Sequence, residues 1–189
     1  FLAIIVAAIT VHEFAHALVA DRLGDPTPRA SGRLSLNPLA HLDPLGTIML
    51  FLVRFGWGKP VPIDPYNFSH PRRDETLVSL AGPFSNLLLA FVISRLIPFL
   101  PNFAPFLYEF FLINLYIAFF NLLPVPPLDG SKIFLNLIPV DKSIEWRQAL
   151  NQYGPILLIA LALLPIGGAN LIGLILQPPV VFLSRLLLP

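Results

Sequence analysis

Two histidines lie four residues apart in an apolar run near the start of the chain, with a glutamate beside the first. Together they form a His-Glu-x-x-His motif, His12-Glu13-Phe14-Ala15-His16. Because residues four apart share one face of a helix, His12 and His16 can direct both imidazoles at a common point. In this arrangement a helix supplies two nitrogen ligands to zinc. The motif therefore indicates a metal site on a helix.

Glu13 lies one position round the same helix, where it can reach a water beside the metal rather than the metal itself. This position suits a general base that activates the water and then donates a proton to the leaving amine. The alternative is a helix that carries the three side chains without function. The flanking residues, 1–9 and 17–20, are apolar, and ionisable groups in such a run are costly unless they are satisfied. The functional interpretation is therefore favoured.

The composition is that of a membrane protein. The 189 residues are 56% hydrophobic and 12% charged, whereas a soluble domain carries about 25% charged residues. A soluble metalloprotease is therefore excluded. The net charge of +1 and the lack of a basic run give no indication of a nucleic-acid partner. With no cysteine in the chain, a metal must be held by His, Asp, Glu or Asn.

Three apolar stretches suit membrane crossings, namely residues 1–23, 76–98 and 106–123. Residues 46–57 are apolar but too short to cross, and they include β-branched and aromatic residues. Residues 46–66 are therefore predicted to form a membrane-associated β-hairpin with a turn at residues 56–60. Within it, residues 61–65 are expected to form an edge strand. Pro60 and Pro62 have no backbone N–H, whereas Val61 and Ile63 keep theirs. The strand edge that carries the Val61 and Ile63 amides is expected to pair with residues 48–55 or with an unwound substrate.

The C-terminal part is less regular. After a polar stretch at 139–151, residues 152–188 are apolar but interrupted at Pro165-Ile166-Gly167-Gly168 and at Pro178-Pro179. They form either one bent crossing or a short helical hairpin, so one or two further apolar helices are expected. The fold class is an α-helical integral membrane protein with three core transmembrane helices around a zinc site. We expect one domain over residues 1–189, with the catalytic core in residues 1–135.

Basic residues predict the orientation in the membrane. Eight of them flank one side if the three spans alternate, namely Arg22, Arg29, Arg33, Arg72, Arg73, Lys132, Lys142 and Arg147, whereas the turn at 99–105 has no Lys or Arg. The positive-inside rule then places the metal site towards the cytosolic side of a multi-pass protein. Arg95 lies at the opposite end of its span, where a long side chain can extend to the interface.

Three further polar residues are candidates for the site. Asp129 can be the third zinc ligand, because the end of the third span lies on the same side as His16; the alternative is an ordinary Asp-Gly turn. Asn86 can stabilise a developing oxyanion or hold substrate, or else form an interhelical hydrogen bond. His41 can be a further ligand, or a loop histidine bonded to a neighbour such as Asp43.

These residues resemble the signature motifs of the site-2 protease family of intramembrane zinc metalloproteases. The resemblance rests on the His12–His16 motif, on Gly82-Pro83-Phe84-Ser85-Asn86, and on the stretch from Asn121 to Gly130 that contains Asp129. It extends to about residue 135 and includes Asn37-Pro38-x-x-His41-x-Asp43-Pro44, which is common in small prokaryotic members. It implies one zinc per chain held by His12, His16 and Asp129, with Glu13 as acid and base and Asn86 near the substrate.

The resemblance also implies a function. We expect a zinc-dependent endopeptidase of a prokaryotic cell membrane that cleaves transmembrane or membrane-proximal segments of protein substrates in the lipid bilayer. The alternative is a non-proteolytic metal-binding membrane protein that retains the fold, for which Glu13 would be unnecessary. The chain has no room for an inserted PDZ domain, and since it begins at Phe1 rather than Met, further residues are expected before it. The sequence indicates neither the substrate nor the oligomeric state.

Overall fold

Helices make up most of the chain in the computed structural model, which describes residues 1–53, 58–163, 165–166 and 169–188. In chain order the helices are α1 (Leu2–Arg22), α2 (Thr27–Ala30), α3 (Pro44–Val53), α4 (Pro71–Leu96), α5 (Ala104–Asn121), α6 (Asp129–Leu137), α7 (Val140–Leu163) and α8 (Leu171–Leu187). Short 3₁₀ turns lie at Pro38–Ala40, Pro65–Asn67, Ile97–Phe99 and Pro101–Phe103.

Three helical stretches are long and apolar enough to cross a membrane, which confirms the three predicted spans. They are Leu2–Arg22, Pro71–Phe99 and Pro101–Asn121. The second begins five residues before its predicted start at Thr76, because proline suits the first turn of a helix. In addition, the carboxylate of Asp74 accepts a hydrogen bond from the backbone N–H of His70 at 3.0 Å, which caps that end.

The β-hairpin predicted at residues 46–66 is wrong. Residues Pro44–Val53 form helix α3 instead. Asp43 supplies the start signal, since its carboxylate accepts from the N–H of Gly46 at 2.7 Å, and Pro44 takes the first helical position. The run that follows is uniformly apolar and lacks the alternation of a strand. Of the predicted turn at 56–60, residues 56 and 57 lie outside the described part of the chain.

The predicted edge strand at residues 61–65 is a loop. An isolated antiparallel bridge joins Leu42 to Gly58, and residues 59–64 then continue without regular secondary structure. Backbone hydrogen bonds to other parts of the chain hold them: Lys59 donates to the carbonyl of His41 at 2.8 Å, and Asp64 donates to the Asp25 carboxylate at 2.8 Å. The amides therefore bind separate partners rather than a neighbouring strand.

The C-terminal region contains two helices, α7 and α8, rather than one bent crossing. Helix α7 starts at Val140 and includes most of the polar stretch at residues 139–151. The two helices are separated by a pair of two-residue antiparallel strands, β1 (Pro165–Ile166) and β2 (Ala169–Asn170). The predicted break at Gly167-Gly168 lies outside the described residues, whereas Pro178 and Pro179 stay inside helix α8.

The described chain divides into two compact units, Phe1–Asn86 and Leu87–Pro189. In the first, Ala20, Phe68 and Val78 form a buried apolar cluster. In the second, the main cluster comprises Ala90, Ile93, Phe111, Leu115 and Val180, and a smaller one comprises Val125, Leu128 and Leu158. The prediction of one domain over residues 1–189 stays a prediction.

Candidate metal centre

The two histidines of helix α1 form the centre of the site. His12 and His16 are buried, with relative exposures of 5% and 7%. Their ring centroids lie 4.6 Å apart and the ring planes are nearly perpendicular, at 80°. One helical turn separates the residues, as the sequence predicted, so both rings occupy the same face of the helix. An apolar helix thus buries two nitrogen donors side by side.

A hydrogen bond at Nδ1 fixes the orientation of each imidazole. Nδ1 of His16 lies 2.7 Å from the carbonyl oxygen of Val78, and Nδ1 of His12 lies 2.6 Å from the side-chain oxygen of Asn86. Because a carbonyl oxygen only accepts, each Nδ1 carries a proton and donates it. Such bonds orient metal-ligating histidines in many proteins. Both rings are therefore prepared to bind a metal through Nε2.

Gly82 on helix α4 makes room for the two Nε2 atoms. A Cβ atom at this position would lie 2.3 Å from Nε2 of His16 and 2.5 Å from Nε2 of His12. Any side chain at residue 82 would therefore occupy the space between the two donor nitrogens. Gly82 is thus the point of helix α4 against which both Nε2 atoms lie.

Asn86 uses both ends of its amide inside this unit. It is fully buried; its oxygen accepts from His12, and its nitrogen donates to the carbonyl of Ala8 at 3.1 Å. These are the contacts of a residue that connects two helices and orients His12. The catalytic role expected for Asn86 stays a prediction, and the hydrogen bonds support a positioning role.

The carboxylate of Glu13 is held by a backbone amide. The N–H of Val61 donates to Oε2 of Glu13 at 3.1 Å. The other oxygen, Oε1, would lie 3.9 Å from a Cβ at Gly58, so the carboxylate sits against the loop at residues 58–61. The amide of Val61, expected to pair with a strand, thus orients the predicted general base.

Asp129 begins helix α6, directly after the proline-rich stretch. Its neighbour Gly130 packs against the preceding turn so closely that a Cβ there would lie 2.2 Å from the carbonyl oxygen of Leu122. Packing therefore requires glycine at residue 130. Asp129 belongs to the second unit, and its role as the third ligand stays a prediction. Two imidazole nitrogens and one carboxylate oxygen are a donor set of catalytic zinc sites.

The remaining histidines have other roles. His41 is fully buried, and its Nε2 donates to the carbonyl of Ser35 at 2.7 Å rather than to Asp43, which caps helix α3. His70 is exposed and its backbone N–H bonds to Asp74. The partners of the Val78 carbonyl and of the Val61 amide were not predictable from the sequence, because a main-chain contact between distant residues leaves no signal in residue identity.

Comparisons with known proteins agree with this chemistry. The family model of peptidase family M50 matches residues 99–162. The chain is 42% identical over 176 residues to YwhC of Bacillus subtilis (strain 168), named as a candidate zinc metalloprotease; the match covers 87% of this chain and 80% of YwhC. It is 37% identical over 136 residues to Rip2 of Mycobacterium tuberculosis, similarly named, covering 65% of this chain and 51% of Rip2. No solved structure matches significantly.

Proposed function

Because this chain belongs to peptidase family M50, the site-2 protease family of zinc metalloproteases, we propose that it is an intramembrane endopeptidase. It would hydrolyse peptide bonds of membrane proteins within or beside the bilayer. The observation that carries the proposal is the pair of buried imidazoles on an apolar helix, with both Nε2 atoms directed at Gly82. Such costly polar groups in a membrane-spanning helix mark a functional site.

In this proposal His12, His16 and Asp129 hold one zinc ion per chain. The donor types fit zinc, and the Nδ1 hydrogen bonds orient both imidazoles so that their Nε2 atoms face Gly82. Bound zinc would supply a Lewis acid that activates water and polarises the scissile carbonyl. Asn86 orients His12 through its side-chain oxygen, and its side-chain nitrogen donates a hydrogen bond to the Ala8 carbonyl.

Glu13 acts as the general base and then as the proton donor. Its Oε2 is engaged by the Val61 N–H, which leaves Oε1 to accept the proton of the attacking water. The same carboxyl group then delivers that proton to the nitrogen of the departing amine. A single anchored carboxylate can perform both transfers without a second titratable group.

A transmembrane substrate must unwind before it reaches these groups. The peptide bonds of a helix are already hydrogen-bonded and are covered by side chains, so neither the water nor Glu13 can approach them. Substrates with glycine, proline or polar residues within the membrane segment would unwind at the lowest cost. The substrate class is therefore a membrane-protein segment with a helix-weakening stretch near the site.

The active site is proposed to face the cytosol. The eight basic residues on one side of the three spans support this orientation. Since the chain contains no cysteine, single cysteines at the exposed positions Ser31, Glu145 and Asn102 can be labelled without background. The first two should react from the cytosolic side alone and the third from the outer side alone. A reversed pattern at all three positions would overturn the orientation.

The test of the proteolytic function is Glu13→Gln. The amide cannot accept the water's proton, so cleavage of a reconstituted transmembrane substrate should fall by about a hundredfold or more, while zinc content stays near one per chain. Glu109→Gln, at an exposed position on helix α5, is the matched control and should cleave normally. Near-normal turnover by Glu13→Gln would refute the mechanism. If the wild type binds zinc but cleaves no membrane substrate, the protein is instead a metal-binding one.

A further inference from the structure

A buried arginine lies in the loop after helix α2. Arg33 is only 3% exposed. Its backbone N–H bonds to the carbonyl of Pro28 at 2.8 Å, and the preceding Gly32 has a positive φ of 68°. A side chain at residue 32 would be strained in that conformation, so glycine allows the turn that directs Arg33 inwards.

The guanidinium of Arg33 joins two loops. Its Nη1 donates to the carbonyl of Ala40 at 2.6 Å, and its Nη2 donates to the carbonyl of Lys59. The N–H of Lys59 in turn donates to the carbonyl of His41 at 2.8 Å. Lys59 is thus held through both its N–H and its carbonyl. The N–H bonds to His41, and the carbonyl accepts from Arg33.

The Lys59 carbonyl that accepts from Arg33 lies two residues before Val61, whose N–H holds the Glu13 carboxylate. Pro60 and Pro62 flank Val61, and their rings fix φ and remove backbone donors. In this short stiff stretch the N–H of Val61 donates to Oε2 of Glu13 at 3.1 Å. Because the φ of Pro60 is fixed, a shift of the Lys59 carbonyl would be passed on to the Val61 amide with little loss.

Stability alone does not explain the buried charge. Burial lowers the pKa of Arg33, and the negative charge of Glu13 acts in the opposite direction. Among the described residues, Nε of Arg33 has no hydrogen-bond partner. A buried cation whose donors are incompletely satisfied is weak evidence for a stabilising role. A role in orienting the carboxylate of Glu13 explains the buried charge of Arg33 better.

We propose that Arg33 is a positioning residue for Glu13. It holds Lys59, and through the rigid stretch that follows it fixes the Val61 amide against the carboxylate of the general base. This inference rests on the proposed function, because Glu13 is the base in that reaction. It adds a group outside the three signature motifs that sets the orientation of Glu13 and touches neither metal nor substrate.

The kinetic test compares Arg33→Gln, Arg33→Lys and Arg29→Gln in the full-length protein. Arg33→Gln should lower kcat for a model transmembrane substrate by about 10- to 100-fold, with KM and zinc content unchanged. Arg33→Lys keeps the charge and one donor, so it should recover part of kcat. Arg29 lies on helix α2 but pairs with Asp21 at the surface, at 2.6 Å, and Arg29→Gln should behave as wild type.

A second measurement does not depend on activity. In hydrogen–deuterium exchange, Arg33→Gln should speed exchange of the amides of Lys59 and Val61 by at least about tenfold, whereas Arg29→Gln should leave them unchanged. This result separates the inference from the proposed function, because an inactive wild type refutes proteolysis while the exchange still tests the link between Arg33 and the Val61 amide.

Three outcomes would overturn the inference. If exchange at residues 59–64 is unchanged in Arg33→Gln, Arg33 does not hold the loop. If exchange rises while kcat is unaffected, Arg33 is structural only. If KM rises and kcat does not fall, the loop affects binding rather than Glu13.

Discussion

The packing of Gly82 against both imidazoles gives the most quantitative prediction, for the substitution Gly82→Ala. The added Cβ would lie 2.3 Å from Nε2 of His16 and 2.5 Å from Nε2 of His12. Real Cβ contacts are essentially never shorter than 3.0 Å. To restore a distance of 3.0 Å, Nε2 of His16 would have to move by 0.7 Å and Nε2 of His12 by 0.5 Å.

The histidine rings have little freedom to absorb these movements. Each is bonded from behind through Nδ1, to Val78 at 2.7 Å and to Asn86 at 2.6 Å. Zinc sites hold their ligand distances within about 0.2 Å, so the required movements exceed the tolerance. We expect zinc affinity to fall by at least about 10- to 100-fold, the range found when groups that orient metal ligands are lost.

The stability of the zinc-free protein tests the geometry independently. Alanine in place of glycine within a helix ordinarily stabilises by about 0.5–1 kcal/mol. Here overpacking should instead cost about 1–3 kcal/mol. The thermal midpoint of zinc-free Gly82→Ala should therefore decrease rather than increase.

The assay measures zinc per chain after dialysis against a chelator, with circular dichroism to confirm that the helices persist. Gly58→Ala is the matched control. Its Cβ would lie 3.0 Å from the side chain of Ile9 and 3.2 Å from the carbonyl of His41, so it is crowded without approaching either imidazole nitrogen. Full zinc retention together with a raised midpoint in Gly82→Ala would refute the argument.

Three further predictions concern single side chains. Asp129→Ala should retain zinc much more weakly, with helicity intact, and full retention would remove Asp129 from the ligand set. Asn86→Ala removes the acceptor behind His12 and should lower zinc affinity by about tenfold; unchanged affinity would show that the hydrogen bond is dispensable. Burial acts to raise the pKa of Asp25, but hydrogen bonds from neighbouring donors outweigh it and lower the pKa. Its stabilisation should therefore be full above about pH 4 and lost at lower pH, so that Asp25→Asn lowers the thermal midpoint at pH 7 and much less near pH 3.

The long helices and the site chemistry were predictable because they depend on local patterns. Apolar stretches of spanning length predicted α1, α4 and α5, and a four-residue spacing predicted the paired imidazoles. Residue type and order placed Asp129 and Asn86 among the candidates. Each of these signals lies in side-chain identity along one continuous segment, where sequence analysis is strongest.

The loop between α1 and α4 was not predictable, because backbone contacts between distant residues define it. β-branched residues suggested a hairpin at 46–66, but the Asp43 cap and Pro44 start a helix there. Nothing in the sequence indicates that the Val61 amide meets Glu13, 48 residues earlier. Arg33 appeared only as one basic loop residue, and its burial depends on a turn at Gly32.

The hydrogen-bond acceptors of the two imidazoles also affect the net charge of the site. Both acceptors, the Val78 carbonyl and the Asn86 amide, are uncharged, whereas carboxylate acceptors would add two negative charges. A neutral acceptor orients its imidazole without bringing an uncompensated charge into the low-dielectric membrane interior, where such a charge is costly. The two bonds therefore orient the proposed ligands while adding no charge to the site.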